Sequence, residues 1–411
     1  MSATRFLIAM VSAWLSFSIA LPSDATKLIP SQQPIPRSFF GMHIHHLVSA
    51  NAGTPLTPWP SVPIPEWRLW DARVTWRDLE PHRGIWKFDN LDKSMAFARE
   101  HNAEVMLTLG ATPYWASARP QEPPGYQPGS AAEPMDTEDW RNFVKTVATR
   151  YKWQIHYYEI WNEPNLKQFW SGSPDQLVML TREASQIIHG IDAKAIVVSP
   201  PFTSDYGVKS LAEFLSKGGG QYVDVIGYHF YVSDKPPEAM VPVIAQVRQT
   251  MKANGVGDKP VWDTETGWFK PKPFPSDQLG AAYLARAFVL NWAAGVQRIY
   301  WYSWDNQVMT VQATENDATT LKPAGRAFEV IQRWLVDARM DSCAQDQSDT
   351  WTCQLDRNGT QEWIVWNPGG KKTITAPSSW HPKTVTPLLE ETRPWSGPAV
   401  EIGPAPILVT N

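Results

Sequence analysis

Strand-like and helix-like segments alternate through the middle of the chain. Short runs rich in apolar, β-branched and aromatic residues recur at regular intervals, and most are followed by a longer stretch with apolar residues at helical spacing. This pattern predicts eight buried strands, at 38–46, 67–70, 104–109, 157–165, 195–199, 223–229, 260–265 and 298–304.

The stretches between the strands predict helices, with Asp136 as a candidate cap for the second of them. Eight strand–crossover units over nearly 300 residues are the number and size of an α/β fold of the (β/α)8 TIM-barrel type, which we assign to residues 38–337. No glycine-rich phosphate turn follows any strand, which disfavours an open doubly wound sheet. The predicted helices are near 91–100, 137–151, 174–188, 208–216, 237–254, 276–294 and 323–337.

The pattern changes beyond residue 337. Short β-type runs are now separated by Asn-Gly, Pro-Gly-Gly and other turn sequences. Residues 338–411 are therefore predicted to form a small C-terminal antiparallel β domain, sandwich-like, that packs against the barrel as a support. The runs are at 351–355, 362–366, 372–376, 384–389 and 399–409.

The beginning of the chain predicts export. Arg5 precedes an apolar run at 6–20 that ends in the small residues Ser18-Ile19-Ala20, as at a signal-peptide cleavage site. We interpret residues 1–20 as a signal peptide and expect a secreted or periplasmic protein, with an uncleaved membrane anchor as the alternative. In an exported protein the two cysteines, Cys343 and Cys353, are expected to form a disulfide.

Composition narrows the class of partner. The chain has 411 residues and a formal charge of −4, so it has no basic field for nucleic acid or an anionic membrane. A neutral or weakly charged partner is expected, and the 22 tryptophans suit sugar faces as well as cores. We expect a monomer that binds a carbohydrate and needs no cofactor.

Two carboxylates stand where a barrel enzyme keeps its catalytic groups. Glu163 ends the fourth predicted strand and Glu265 ends the seventh, and catalytic residues of barrels collect at these carboxyl ends. A facing pair suits glycosidic cleavage, in which one carboxyl group protonates the leaving oxygen and the other attacks the anomeric carbon. A separation of about 5–5.5 Å would imply retention of configuration.

Sequence blocks around these carboxylates resemble a known group of enzymes. Trp161-Asn162-Glu163-Pro164, together with Thr264-Glu265, resembles clan A of the glycoside hydrolases. Further blocks narrow the similarity, which spans roughly residues 38–337, to family 39 and especially to its bacterial exopolysaccharide-cleaving members; the family also contains β-xylosidases and α-L-iduronidases. These blocks are Arg68-Leu69-Trp70-Asp71, Trp76-Arg77-Asp78-Leu79-Glu80-Pro81 and Leu107-Thr108-Leu109-Gly110-Ala111-Thr112-Pro113-Tyr114-Trp115-Ala116-Ser117.

The resemblance implies a role for each matching residue. Glu163 corresponds to the acid/base, Glu265 to the nucleophile and Asn162 to the side chain that binds the sugar 2-hydroxyl. The resemblance also implies that Tyr231 hydrogen-bonds to the nucleophile and that Arg68 keeps Glu265 ionised. His229 would line the site, and Trp304 would be the aromatic platform beneath the sugar.

Several residues have structural alternatives. Arg68 could pair with Glu159 instead of Glu265, and Glu159 and Asp263 are expected to be buried structural carboxylates. Asp71, Glu80 and Asp305 are interpreted as loop or cap residues. Trp115 is a second candidate sugar platform, although tryptophans at a barrel rim also simply pack.

Two other functions are compatible with parts of the sequence. His43-Ile44-His45-His46 on the first strand resembles the opening metal motif of amidohydrolases, but only His229 and Asp305 correspond to the further ligands that such a metal site requires. We therefore interpret His43 or His45 as polar lining of a sugar site and expect no metal. A catalytically inactive carbohydrate-binding barrel is the other alternative.

Two proline-rich loops are expected to wall the site. The first follows strand one at 52–65, and the second follows strand three at 119–135. Stiff insertions of this length on the catalytic face predict a groove for an extended glycan in preference to a closed pocket for one sugar.

Overall fold

The computed structural model describes residues 26–48, 56–123 and 125–411. The signal peptide predicted at 1–20 and the first part of the loop at 52–65 lie outside this range. Within the described part of the chain, no helix is both long and apolar enough to span a membrane.

A closed parallel sheet forms the centre of the molecule, as the strand pattern predicts. The chain first makes a two-residue strand, β1 (Lys27–Leu28), and then nine strands that pair in the order β6-β5-β4-β3-β2-β10-β9-β8-β7. A parallel bridge between Val198 of β6 and Val225, directly before β8, closes the barrel. The nine strands are β2 (Phe40–Met42), β3 (Glu66–Leu69), β4 (Glu104–Leu109), β5 (Tyr157–Ile160), β6 (Ile196–Val198), β7 (Phe202–Thr203), β8 (Ile226–His229), β9 (Val261–Thr266) and β10 (Arg298–Trp301).

The structure has nine barrel strands where the sequence predicts eight, because the fifth barrel strand is divided into β6 and β7. Pro200 and Pro201 separate β6 from β7, and a proline has no N–H to donate to a sheet ladder. The eight-unit (β/α)8 arrangement is therefore confirmed.

Several barrel helices begin at polar capping residues, among them the predicted Asp136. The Asp136 carboxylate accepts a hydrogen bond from the Glu138 N–H at 2.9 Å, which confirms the predicted cap. Ser173 and Gln176 form a reciprocal capping box, with Pro174 at the first helical position. The helices are α1 (Trp76–Leu79), α2 (Asp89–Glu100), α3 (Thr137–Arg150), α4 (Pro174–Ile191), α5 (Gly207–Ser216), α6 (Met240–Ala253), α7 (Asp277–Ala293) and α8 (Pro323–Leu335).

The C-terminal region is antiparallel, as predicted, but its sheet also includes the beginning of the described chain. Strand β1 pairs with β11, and seven strands follow the order β1-β11-β12-β13-β18-β15-β16, while β14 and β17 form a separate two-stranded ribbon. The strands are β11 (Arg339–Gln345), β12 (Trp351–Arg357), β13 (Thr360–Trp366), β14 (Lys372–Thr375), β15 (Thr384–Pro387), β16 (Arg393–Pro394), β17 (Ala399–Ile402) and β18 (Ile407–Thr410).

Strand β11 is absent from the sequence-based prediction. Its pairing register with β12 shifts between Met340 and Ser342, and such a bulge interrupts the alternation of buried and exposed positions. The predicted strand at 399–409 is in fact two strands, because the chain turns between Ile402 and Ile407.

The C-terminal sheet and the barrel share one hydrophobic core. Trp351 and Trp366 stack at a centroid distance of 5.6 Å within the same buried cluster as the barrel residues. The Arg357 guanidinium donates to the Val336 and Trp334 carbonyls, both at 2.7 Å, and so satisfies carbonyl groups at the end of α8. These contacts pack the C-terminal sheet against the barrel, as expected of a domain that supports it.

The two cysteines form the expected disulfide. Cys343 of β11 lies directly opposite Cys353 of β12, and the bond joins residues that are 10 positions apart in sequence.

Replacing both cysteines with serine is expected to lower the free energy of unfolding by about 2–3 kcal/mol, because the unfolded chain gains the entropy of the opened loop. Urea unfolding of the oxidised wild type, the reduced wild type and the double variant measures this difference. Equal midpoints for all three would contradict it.

Candidate active site

A cavity of about 370 Å³ opens at the carboxyl ends of the barrel strands. Glu163, Glu265, Asn162 and Tyr231 all line it. One carboxylate oxygen of each glutamate and one ring nitrogen of His229 lie within 4.8 Å of one another. The structure therefore brings the predicted pair of carboxylates together across the mouth of the barrel.

The backbone around Glu163 is strained. Trp161 and Glu163 have φ angles of +64° and +42°, in the left-handed region that bulky residues rarely adopt. The Trp161 indole is fixed by a 2.7 Å hydrogen bond from its Nε1 to the Phe169 carbonyl and by an edge-to-face contact with Trp170. Tight packing of Trp161 thus holds the turn that carries Glu163 into the cavity.

Glu265 is held by two donors. Its Oε1 accepts from the Tyr231 hydroxyl at 3.0 Å, and its Oε2 accepts from Arg68 Nη1 at 2.8 Å. Burial, and then the negative charge of Glu265, raise the pKa of Tyr231 well above its usual value, so the phenol keeps its proton and donates. Both donors favour the ionised form of Glu265.

Arg68 serves both of the carboxylates that the sequence left as alternatives. Besides its bond to Glu265, its Nε and Nη2 donate to Glu159 Oε2 at 2.8 and 2.5 Å. Glu159 is fully buried and also accepts from the Thr108 hydroxyl at 2.8 Å. Glu159 therefore has the structural role expected of it: it anchors the arginine that faces Glu265.

Arg68 also orients the Asn162 amide. Its Nη2 donates to Asn162 Oδ1 at 2.8 Å, and an arginine side chain can only donate. The amide oxygen must therefore face Arg68, which leaves the Asn162 NH₂ group as a donor for a ligand in the cavity.

Glu163 and Glu265 titrate as a coupled pair. Burial raises the pKa of each carboxyl group to about 7, against an ordinary value of 4.5. Of these two carboxylates, Arg68 hydrogen-bonds to Glu265 and not to Glu163, and Tyr231 also donates to Glu265. When the pair holds one proton, these contacts place the negative charge on Glu265 and the proton on Glu163.

His229 contacts Glu163, the carboxyl group that holds the shared proton. Its Nδ1 lies 2.9 Å from Glu163 Oε1, and its ring is fully buried. Burial lowers the pKa of His229 to about 4, so the imidazole is neutral at pH 7. A neutral imidazole orients Glu163 without forcing it to ionise.

His43 lies beneath the cavity instead of lining it, which corrects the prediction. It is fully buried, its Nε2 lies 3.2 Å from the Thr264 carbonyl, and its ring packs 5.0 Å from that of Tyr302. In the described residues, the one cluster with a geometry that could hold a metal ion is Glu163, His229 and Glu265. Neither His43 nor His45 belongs to it, so the histidine motif is not arranged as an amidohydrolase site requires.

The prediction that Trp304 and Trp115 are sugar platforms is also wrong, because neither side chain lines the cavity. Trp304 is only 1% exposed, belongs to the core and donates from Nε1 to the Ala318 carbonyl at 3.2 Å. Trp115 packs edge-on against Trp76 and donates to the Glu80 carbonyl at 2.8 Å, away from the cavity. The aromatic ring that the last barrel strand presents to the cavity belongs to Tyr302, directly after β10.

Sequence reasoning missed a second group of cavity residues, Asp71, Tyr126 and Tyr302. The Asp71 carboxylate accepts from the Tyr126 and Tyr302 hydroxyls, both at 2.7 Å. Tyr126 lies on the loop at 119–135, so that loop does wall the site as predicted. The position of Tyr302 immediately beyond a barrel strand is the signal that the sequence offers. Asp71 is a loop residue, as interpreted from the sequence, but its side chain also lines the cavity.

Replacing Arg68 with methionine should affect both the fold and the titration of Glu265. Glu159 would lose its buried partner, at a cost of about 3–5 kcal/mol. Arg68 lowers the pKa of Glu265, so its removal raises that pKa, and the acid limb of the activity profile moves to higher pH. Thermal unfolding and the pH dependence of kcat/KM measure the two effects.

Arg298→Met is a matched control for this prediction. Arg298 pairs with the buried Glu66 at 2.7 Å near the amino ends of the strands, away from the cavity. It should lose stability without moving the acid limb. An acid limb that moves equally in both variants would contradict the role given to Arg68.

Comparison with known proteins places the chain in a family. The model of glycosyl hydrolases family 39 matches residues 66–326. A β-xylosidase of Caldicellulosiruptor saccharolyticus is 28% identical over 155 residues, and one of Geobacillus stearothermophilus is 24% identical over 189 residues. These matches cover 36% and 39% of this chain but only 31% and 37% of the relatives, so the chain matches about a third of their length.

Solved structures share the fold. A family 39 glycoside hydrolase from Bacteroides cellulosilyticus superposes with a TM-score of 0.72 at 16% identity, over 92% of this chain and 81% of that one. A monomeric β-xylosidase from Caulobacter crescentus gives 0.65 at 15% identity, over 93% and 97%. Since the family model covers well over half of the sequence and includes both Glu163 and Glu265, the chain belongs to family 39 of the glycosyl hydrolases.

Proposed function

We propose that the protein is a retaining glycosidase that cleaves an O-glycosidic bond by double displacement. The observation that carries the proposal is the approach of the Glu163 and Glu265 carboxylates to within 4.8 Å. Retaining enzymes keep their carboxyl groups about 5–5.5 Å apart, whereas inverting enzymes need about 6.5–9.5 Å to admit a water molecule.

In the first step Glu265 attacks the anomeric carbon. The bond from this carbon to the leaving oxygen breaks, and the Glu163 proton passes to that oxygen. Arg68 and Tyr231 hold Glu265 as the nucleophilic anion, and the Asn162 NH₂ group is oriented to bind the neighbouring sugar hydroxyl. The product is a sugar esterified to Glu265.

In the second step Glu163 acts as a base. Its carboxylate takes a proton from a water molecule, whose oxygen attacks the anomeric carbon and releases Glu265. The proton from water leaves Glu163 protonated as at the start, and two inversions give net retention. A pKa of about 7 suits a group that must serve as acid and as base near neutral pH.

The substrate we propose is an extracellular poly- or oligosaccharide. We also propose that the protein is a monomer and that it is secreted or periplasmic. The family relationship and the sugar-sized cavity support a carbohydrate, and the leader-like sequence at 1–20 supports export. The related β-xylosidases make xylosides the first compounds to assay.

Purified protein should be assayed against nitrophenyl glycosides and a panel of polysaccharides, with the anomer of the first product determined by NMR. We expect a product with the configuration of the substrate. An inverted product would contradict the mechanism. Glycan binding by a wild-type protein that is as inactive as Glu163→Gln would favour the non-catalytic alternative.

A further inference from the structure

A second hollow adjoins the catalytic cavity. It has a volume of about 330 Å³ and shares Asp71 and Tyr126 with the cavity that contains Glu163 and Glu265. A third hollow of about 350 Å³ shares Arg73 and Arg77 with the second and reaches Lys87. The three hollows form a series that leads away from the catalytic carboxylates.

The series extends on the side of the sugar that becomes bound to the enzyme. Glu163 lies beside Thr203 and Tyr206, near β5 and β7, and the departing sugar must leave past the group that protonates it. Arg73 and Arg77 lie on the chain that follows β3, and the hollow that they line shares Asp71 with the catalytic cavity but includes none of Glu163, Thr203 and Tyr206. Sugar residues on the non-reducing side of the cleaved bond would therefore occupy the second hollow.

Arg77 is the unusual residue in this hollow. Its guanidinium carbon lies 4.8 Å from the centre of the Tyr126 ring, and its side chain is only 15% exposed. The nearest carboxylate oxygen, Asp78 Oδ1, is 3.9 Å from its Nε. Among the described residues, no guanidinium nitrogen of Arg77 has a hydrogen-bond partner; Nε and Nη1 are covered by the protein, and Nη2 is the nitrogen that a ligand in the hollow can reach. A cation that is largely buried with so few partners is costly unless a ligand compensates it.

The carboxylates around the hollow are already in use. Both oxygens of Asp71 accept from tyrosine hydroxyls, and Asp78 Oδ2 accepts from the Thr75 N–H and hydroxyl. Three of the four carboxylate oxygens of Asp71 and Asp78 thus have donors, whereas the Arg77 guanidinium has no hydrogen-bond acceptor among the described residues. Arg73 borders the same hollow, is exposed, and forms no ion pair with any described residue.

We propose that the second hollow is a subsite for an acidic sugar residue, such as a uronate, whose carboxylate is bound by Arg77 with Arg73 nearby. This inference rests on the proposed glycosidase function and names its substrate class: a chain with a carboxylate-bearing residue on the non-reducing side of the cleaved bond. The proposal also refines the expectation of a neutral partner, which was based on the net charge of the whole chain. The charge of the ligand bound in this hollow depends on the side chains that line it, and the arginines there favour a carboxylate.

Glucuronate-containing oligosaccharides from hyaluronan and glucuronoxylan, each paired with its carboxyl-reduced neutral form, provide the test. The wild type should hydrolyse the acidic form of at least one pair with the higher kcat/KM. Arg77→Gln should lower kcat/KM for that form by roughly tenfold to a hundredfold, the range for loss of a charge-assisted hydrogen bond. Its kcat/KM for the neutral form and for a nitrophenyl glycoside should change by less than about threefold.

Arg83→Gln is a matched control, because Arg83 lies the same 4.8 Å over an aromatic ring, Trp115, but outside the hollows. It should leave the preference for the acidic form unchanged. A salt titration of the wild type gives a readout without a variant: the preference should shrink as the ionic strength rises from about 0.05 to 0.5 M.

Two results would overturn the inference. One is equal hydrolysis of acidic and carboxyl-reduced forms by the wild type; the other is an equal loss on both forms in Arg77→Gln. Either result, with nitrophenyl glycosides still hydrolysed, leaves the glycosidase proposal intact. A wild type inactive on every glycoside and glycan would instead refute the proposed function itself.

Discussion

Replacing Glu265 with alanine is expected to lower kcat by roughly four to six orders of magnitude, the scale of losing a catalytic nucleophile. The first displacement cannot occur without this carboxylate, and the covalent intermediate does not form. The alanine also leaves space beside the anomeric carbon that a small anion can fill. Azide should therefore restore activity and give a glycosyl azide of the configuration opposite to the wild-type product.

Two observations check this prediction. Glu315→Ala, which removes an exposed carboxylate from the segment after β10, should retain wild-type activity. Thermal unfolding of Glu265→Ala should show a folded protein, since Glu159 still pairs with Arg68. Full residual activity in folded Glu265→Ala would remove this residue from the mechanism.

Replacing Glu163 with alanine should have a large effect that depends on the leaving group. For a sugar leaving group, kcat should fall by about 10²- to 10⁴-fold because the departing oxygen no longer receives a proton. A dinitrophenolate needs no proton, so the first displacement from a dinitrophenyl glycoside should be nearly as fast as in the wild type. Pre-steady-state release of the phenolate measures that step directly.

The pH dependence follows from the same proton. Burial raises the pKa of Glu163 to about 7, and the group acts as an acid only when protonated. The kcat/KM of the wild type should therefore fall as the pH rises above about 7, whereas Glu163→Ala acting on the dinitrophenyl glycoside should show no alkaline fall. An equal loss with both leaving groups, or an alkaline limb that persists in the variant, would contradict the assignment.

The sequence was sufficient to predict the barrel and the residues at its strand ends. Eight apolar runs separated by helical patterns define the (β/α)8 unit count, and the position of a residue at the end of a strand fixes where it points. Glu163 and Glu265 follow from this rule alone. The family pattern added Asn162, Arg68, Tyr231 and His229, all of which the structure places in or against the catalytic cavity.

The remaining residues depend on loop conformations that no local pattern reveals. Asp71 has a left-handed backbone with a φ of +59°, and its partners lie 55 and 231 residues away in sequence. Trp304 and Trp115 were predicted by residue type, but large apolar rings are buried wherever the chain can cover them. Distinguishing Tyr302 from Trp304 requires the path of the chain beyond β10, which the sequence pattern does not define.

The most direct test of the two-glutamate mechanism is to trap its covalent intermediate. The protein should be incubated with the 2-deoxy-2-fluoro analogue of whichever activated glycoside it hydrolyses fastest, digested, and sequenced by mass spectrometry. We predict one fluorosugar per protein, attached to Glu265. Rapid turnover of a natural glycoside with inverted product and no labelled peptide, or a label on any other residue, would contradict it.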